Sequence, residues 1–183
     1  MSFNPFPELT TERLALRQIK ESDSDIILFL RSDSTVNKFI ERPEHRKTKN
    51  KADAIKFIKE LTENIKTNIS ISWGITLKNE PQIIGTIGLW NFSNDRTIAE
   101  VGYDLNPEFQ RKGIMNEAMK SVVDYGFNTL KLLKIEAFTH KENASSIKLL
   151  ENNKFQFMEH RNDEENLNNV IFEIENKGSA SMF

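Results

Sequence analysis

The sequence predicts an α/β (α+β) chain built on a mixed, mostly antiparallel sheet. Three observations carry this. The length of 183 residues suits one compact domain. The middle of the chain alternates apolar and polar residues with period two. The later part changes to a strand–helix–strand pattern, and such units are normally parallel crossovers.

The elements follow in order. Residues 12–19 set Leu14, Leu16 and Gln18 against Arg13, Ala15 and Arg17, the pattern of a first strand. Ser22 stands three residues before Asp25 and ahead of the apolar run 26–30, a helix-start signal. A second helix is expected over 51–66, with Ala54, Ile58, Leu61 and Ile65 on one face. The polar stretch 41–50 between them reads either as a solvated loop or as a flexible lip over a substrate groove. Residues 69–77 alternate Ile69, Ile71, Trp73, Ile75 and Leu77 with small polar residues, predicting a half-buried strand. Turns at 78–81 and 91–96 separate it from strands at 83–90 and 97–105, which makes an antiparallel meander. From Arg111 the pairs Ile114/Met115, Ala118/Met119, Val122/Val123 and Gly126/Phe127 recur every four residues, predicting a long helix lying across a sheet. A short strand at 135–139, a helix near 144–152 and two terminal strands complete the domain, expected over 1–176. Residues 177–183 read as a loose C-terminal tail.

Composition narrows the chemistry. With 25 Lys plus Arg against 27 Asp plus Glu, broad electrostatic attraction to nucleic acid or anionic membranes is not expected. No apolar run approaches the ~18 residues that cross a bilayer, and the N-terminus lacks secretory features, so cytoplasmic residence is expected. The chain has no cysteine, which removes disulfides, thiolate metal sites and a cysteine nucleophile. His45, His140 and His160 lack the spacing of a helical zinc pair, and no metal is expected.

The junction of the third meander strand with the long helix is the most informative segment, AEVGYDLNPEFQRKGIMNEA over 99–118. Asn106-Pro107 stops the strand and Gly113 loosens the helix entrance. Free N–H groups at a helix start attract phosphate oxygens, and Arg111 and Lys112 add positive charge beside them. Glu100 alternates away from Ala99, Val101, Tyr103 and Leu105, so its carboxylate should leave the core face.

The string Gln110-Arg111-Lys112-Gly113-Ile114-Met115 resembles the Gln/Arg-x-x-Gly-x-Gly/Ala signature of the GNAT superfamily of N-acetyltransferases. The wider segment is similar to the branch of Rim-type acetyltransferases that modify ribosomal-protein N-termini. Asn143-Ala144-Ser145-Ser146 and Lys154-Phe155 resemble that branch's Asn-x-x-Ser segment and closing glycine-phenylalanine, and TTERLALRQIKESD its opening. Met115 and Lys154 stand where small or glycine residues are usual.

The resemblance implies a GNAT-like sheet of about six to seven strands flanked by about four helices. It implies acetyl-CoA as donor, with its pyrophosphate on the N–H groups of Arg111, Lys112, Gly113, Ile114, Met115 and Asn116, and Gln110 at the start of the signature. The pantetheine arm would lie on the strand ending at Leu105, with Asn143 and Ser146 against it. Asn143 also reads as a helix cap. The acceptor would be a primary amine, either a peptide N-terminus or a small amine such as a polyamine, amino sugar or antibiotic. About 10% of an α-amine is neutral at pH 7, against roughly 0.04% of a lysine amine, so a base helps either acceptor shed its proton. Glu100 matches the position of the superfamily's glutamate base; its other reading is a solvated sheet charge. Leu150 occupies the usual tyrosine position, and Ser146 is the branch's substitute as proton donor to sulfur, or a small residue permitting close approach. Tyr103 reads as packing, Glu117 as a first-turn charge and His140 as a surface loop residue. A homodimer is among the assemblies the resemblance allows. A non-catalytic cofactor-binding module is the competing class; a serine hydrolase lacks any Gly-x-Ser-x-Gly stretch.

Overall fold

A computed structural model describes residues 1–178, so the expected tail lies, from residue 179 onward, outside the described residues. Eight strands form one sheet: β1 (Leu9–Thr10), β2 (Leu14–Gln18), β3 (Ile71–Leu77), β4 (Ile83–Trp90), β5 (Ile98–Leu105), β6 (Lys134–His140), β7 (Gln156–Phe157) and β8 (Asn169–Glu175), in spatial order β1-β2-β3-β4-β5-β6-β8-β7. All neighbours are antiparallel except β5 and β6. The strand beyond the expected six to seven is β1, whose two residues are too short to show an alternation.

Four helices cover the sheet: α1 (Ser24–Ser32), α2 (Lys51–Lys66), α3 (Ile114–Asn128) and α4 (Ala144–Asn152). On one face α3 buries Ile114, Met115, Ala118, Met119 and Val122 against Leu16, Trp73, Leu89, Val101 and Ile135. Each such large side chain contributes about 1.5–3 kcal/mol relative to exposure. On the other face Ile27 and Leu30 of α1 and Ala54 and Ile58 of α2 enclose Ile19 and Ile83. Strand β3 is therefore buried on both faces rather than half-buried. A Cβ on Gly74 would stand 2.2 Å from Cδ1 of Ile83 on neighbouring β4 and 3.3 Å from Ile19, so the apolar cluster under α1 and α2 closes over that strand.

Local chemistry sets the helix ends. Asn50 caps α2, its Oδ1 accepting from the Asp53 N–H at 3.0 Å. Ser22 lies inside a single 3-10 turn, Glu21–Asp23, that precedes α1, and Asp23 fastens this turn by accepting the Lys20 N–H at 2.8 Å and pairing with Arg17 at 2.8 Å. Helix α3 begins at Ile114 instead of Arg111. Arg111 (φ +60) and Gly113 (φ +75) take left-handed backbone that no α-helix continues. Among the described residues, no helix is long and apolar enough to cross a membrane.

Candidate active site

The parallel pairing of β5 with β6 ends early. It runs from Ile98↔Lys134 to Glu100↔Glu136, after which the two strands part. Beyond that point β5 keeps β4 on one side, to Leu105, while β6 keeps β8 to His140. The edge of β5 over 101–105 thus faces a wedge-shaped gap. A cleft of about 2250 Å³ passes through it, lined by Glu100, Leu105, Gly113, Asn143 and Ser146 among others. A pocket for one small ligand is about 300–1,000 Å³, so this cleft has room for two substrates together.

At one mouth of the gap stands the start of α3. The backbone N–H groups from Arg111 to Asn116 have no hydrogen-bond acceptor within the described residues. The left-handed turns at Arg111 and Gly113 gather them ahead of the helix, which makes an anion cradle. Ile114 and Met115 send their side chains into the core, so the methionine in the small-residue position leaves the cradle open. Gln110 turns back, donating from Nε2 to the Leu105 carbonyl at 3.3 Å. Asn116 is tied to α4, accepting from Asn153 Nδ2 at 2.9 Å.

Glu117 does more than complement a helix dipole. It accepts from Thr11 Oγ1 at 2.5 Å, from the Arg13 N–H at 2.8 Å and from Arg13 Nε at 2.7 Å. Arg13 Nη1 in turn donates to the Lys112 carbonyl at 3.0 Å. The turn between β1 and β2 thereby clamps the cradle. Burial alone would raise the Glu117 pKa, but these hydrogen bonds outweigh it and hold the carboxyl below its ordinary value.

Glu100 sits where the strands part, on the face of β5 turned toward α1 and α2. Asn91 Nδ2 donates to it at 2.9 Å. Burial pushes its carboxyl upward, with Asp163 and Glu136 adding to the rise against hydrogen bonds from Asn91 and Trp90. The Trp90 ring covers Gly102, where a Cβ would meet Trp90 Cη2 at 1.9 Å, so only glycine admits the indole there. Two residues further on, Asp104 accepts from Thr86 N at 3.1 Å and Thr86 Oγ1 at 2.8 Å. Burial raises its carboxyl too, opposed by Thr86 and by the nearby charges of Arg42 and Arg31.

On the opposite face, Ser146 in the first turn of α4 lies 2.7 Å from the Tyr103 hydroxyl, oxygen to oxygen. Tyr103 is therefore a partner of the candidate serine and not packing alone. Burial pushes its phenol up to about 12, so it keeps its proton across the neutral range. Asn143 caps α4, its Oδ1 accepting the Ser146 N–H at 3.2 Å, and it lines the cleft as well.

Residues 41–50 are largely exposed, as a solvated loop is, and side-chain bonds from Glu41 and Thr48 tether the stretch near its two ends. The ring of Phe39, just before this stretch, stacks on His140 at 5.3 Å. Glu41 accepts from Asn166 Nδ2 at 3.4 Å, and Thr48 accepts from Arg31 Nε at 2.7 Å. His140 ends β6, its Nδ1 accepting the Glu142 N–H at 3.1 Å. Sequence reading missed Asp104, Arg31 and Arg42 at this wall. Asp104 carried one usable signal: it shares strand parity with Glu100.

Comparison with known proteins agrees with this geometry. The profile described as Acetyltransferase (GNAT) domain matches residues 13–156. An N-acetyltransferase from Bacillus licheniformis, p20, is 35% identical over 81% of this chain and 82% of its own length. YoaA, an N-acetyltransferase of Bacillus subtilis, is 34% identical over 82% and 84%. The crystal structure of ribosomal-protein-S5-alanine acetyltransferase from Vibrio fischeri superposes with a TM-score of 0.79 at 25% identity, covering 93% of this chain and 97% of that one. The chain belongs to the GNAT acetyltransferase family and is an N-acetyltransferase.

Proposed function

We propose that the protein moves the acetyl group of acetyl-CoA directly to a primary amine, with a peptide N-terminal α-amine as acceptor. The carrying observation is the row of unpartnered N–H groups from Arg111 to Asn116 beside the parted strands. A pyrophosphate suits that cradle, with Arg111 and Lys112 adding charge. The amides of a pantetheine arm suit the unpaired edge of β5 up to Leu105 by strand addition, with Gln110 shaping its end and Asn143 at the far side. Acetyl-CoA supplies the activated acyl carbon.

The neutral amine attacks that carbon and the carbon–sulfur bond breaks. Glu100 takes the proton the nitrogen sheds, and Ser146, bonded to Tyr103, returns a proton to the departing thiolate. Without cysteine, no acetyl-thioester forms on the chain. The likeness to the Vibrio fischeri enzyme supports an N-terminal acceptor. The test is incubation with acetyl-CoA and peptides, polyamines or aminoglycosides, following free thiol and product mass. Thiol release that requires an amine is the expected result. Tight acetyl-CoA binding with no acetylated product from any acceptor would mean a binding module instead.

A further inference from the structure

The wall facing Glu100 carries charge that acetyl transfer itself does not use. Arg31, in the last turn of α1, lies over the Phe57 ring of α2, 3.6 Å from its centroid. Its Nε and Nη2 donate to Thr48 Oγ1 at 2.7 Å and to the Arg46 carbonyl at 2.9 Å. Arg42, in the loop roofing the cleft, donates to Asn37 Oδ1. Both guanidiniums are half-buried in the cleft, and neither forms an ion pair among the described residues. Burial lowers both, Arg31 to about 10 with the like charge of Arg42 adding to the fall. Each stays charged at neutral pH.

The nearby carboxylates act on them only through space. Asp104 gives Oδ1 to Thr86 N and Oγ1, and its charge favours both guanidiniums without an ion-pair contact, as the charge of Glu60 of α2 does for Arg31. Half-buried cations with no ion pair are costly, and a guanidinium's planar fork matches a carboxylate or phosphate. Glu100 lies four residues from Asp104 on the same strand face, about 13 Å at strand rise. The cleft is thus dipolar, with the base at one end and two guanidiniums at the other.

We infer that the acceptor is a primary amine that also carries a carboxylate or phosphate several bonds away. Arg42 and the unengaged Nη1 group of Arg31 hold the anion, which directs the amine toward Glu100. This rests on the acetyl-transfer reading above. Cationic acceptors such as spermidine are disfavoured by the same charges.

Matched acceptors test it: a peptide beginning Ala-Glu against Ala-Gln, phosphoserine against serine, and spermidine. Thiol release and product mass give kcat/KM for each. The anionic member of a pair should be favoured roughly tenfold or more, and the pair that shows this separates peptide from free small amine. Arg42→Gln should collapse the preference while the acetyl-CoA Kd, measured by calorimetry, holds. Arg42→Lys should keep part of it. Equal kcat/KM within both pairs in the wild-type protein would overturn the inference whether or not a variant folds. A weakened acetyl-CoA Kd in Arg42→Gln would also overturn it, by giving the guanidinium to the donor's phosphates. No product from any acceptor would overturn the acetyl-transfer reading and this inference together, whereas equal rates would leave acetyl transfer standing.

Discussion

The two mouths of the cleft are made of different material. The α3 mouth is main chain: six N–H groups, two left-handed turns and a strand edge, with Ile114 and Met115 turned into the core. The α1–α2 mouth is side chain: Glu100, Asp104, Arg31 and Arg42, brought together from a strand, a helix and a loop. Backbone can present phosphate-binding groups under many sequences, because every residue but proline has an N–H. A side-chain wall changes with each substitution. The construction suits a fixed donor and an acceptor free to diverge, and it predicts opposite sensitivities at the two mouths.

The largest effect is expected on the side-chain wall. Glu100→Gln should lower kcat at pH 7 by about 10²-fold, the lower end of a general base's contribution, with acetyl-CoA binding retained. Burial holds the Glu100 proton to higher pH than an ordinary glutamate, and only the ionised form accepts a proton. The acidic limb of the wild-type rate profile should therefore lie above the usual carboxylate range, and the variant should lose it. An unchanged profile would remove Glu100 from the reaction.

At the main-chain mouth the contrast should invert. Gly113→Val forces a β-branched residue to φ +75, costing about 1–2 kcal/mol and so roughly 5- to 30-fold in acetyl-CoA affinity. Lys112→Ala removes only an exposed charge, and a surface pair is worth about 0–1 kcal/mol, so the loss should stay within roughly fivefold. Calorimetry on both variants decides it. Equal losses would mean that side-chain charge, and not the cradle, holds the phosphates.

The same division explains what could be read from sequence. Gly113, Arg111 and the strand stop at Asn106-Pro107 are neighbours in the chain, so local stereochemistry marks the cradle. The α3 stripe is legible because its period is local too. Arg42 and Asp104 are 62 positions apart, and only the folded loop brings their charges into range. The burial of both faces of β3 was hidden for a related reason. Ser72, Gly74 and Thr76 look like a solvent face, and it takes the packing of α1 and α2 to show what small residues there permit. Tyr103, on β5, read as packing because its partner, Ser146, sits 43 positions away on helix α4.

A third measurement probes what joins the α3 mouth to the scaffold. Glu117→Ala removes three hydrogen bonds to a carboxylate and frees the Arg13 clamp, and should cost about 2 kcal/mol of stability in urea unfolding at pH 7. The Glu117 carboxyl is held below its ordinary value, so its contribution is complete above the unfolded-state pKa of roughly 4.3 and fades as pH falls through the lower folded value. Wild type and variant should converge in acid. A gap that persists there would assign the loss to packing and not to the charge.

The smallest expected effect on turnover concerns the hydroxyl pair under the gap. A thiolate with a pKa near ~8.5 leaves without full protonation, so a donor to it is worth little beside a base. Ser146→Ala and Tyr103→Phe should each lower kcat by roughly 3- to 10-fold, and the double variant by little more than either. That non-additivity follows from the 2.7 Å contact: a Ser146 hydroxyl oriented by Tyr103 loses its aim when the phenol goes. Fully multiplicative losses would mean that the two hydroxyls act apart. Ser146 would then be a small residue admitting the pantetheine arm, and Tyr103 a core side chain that happens to touch it.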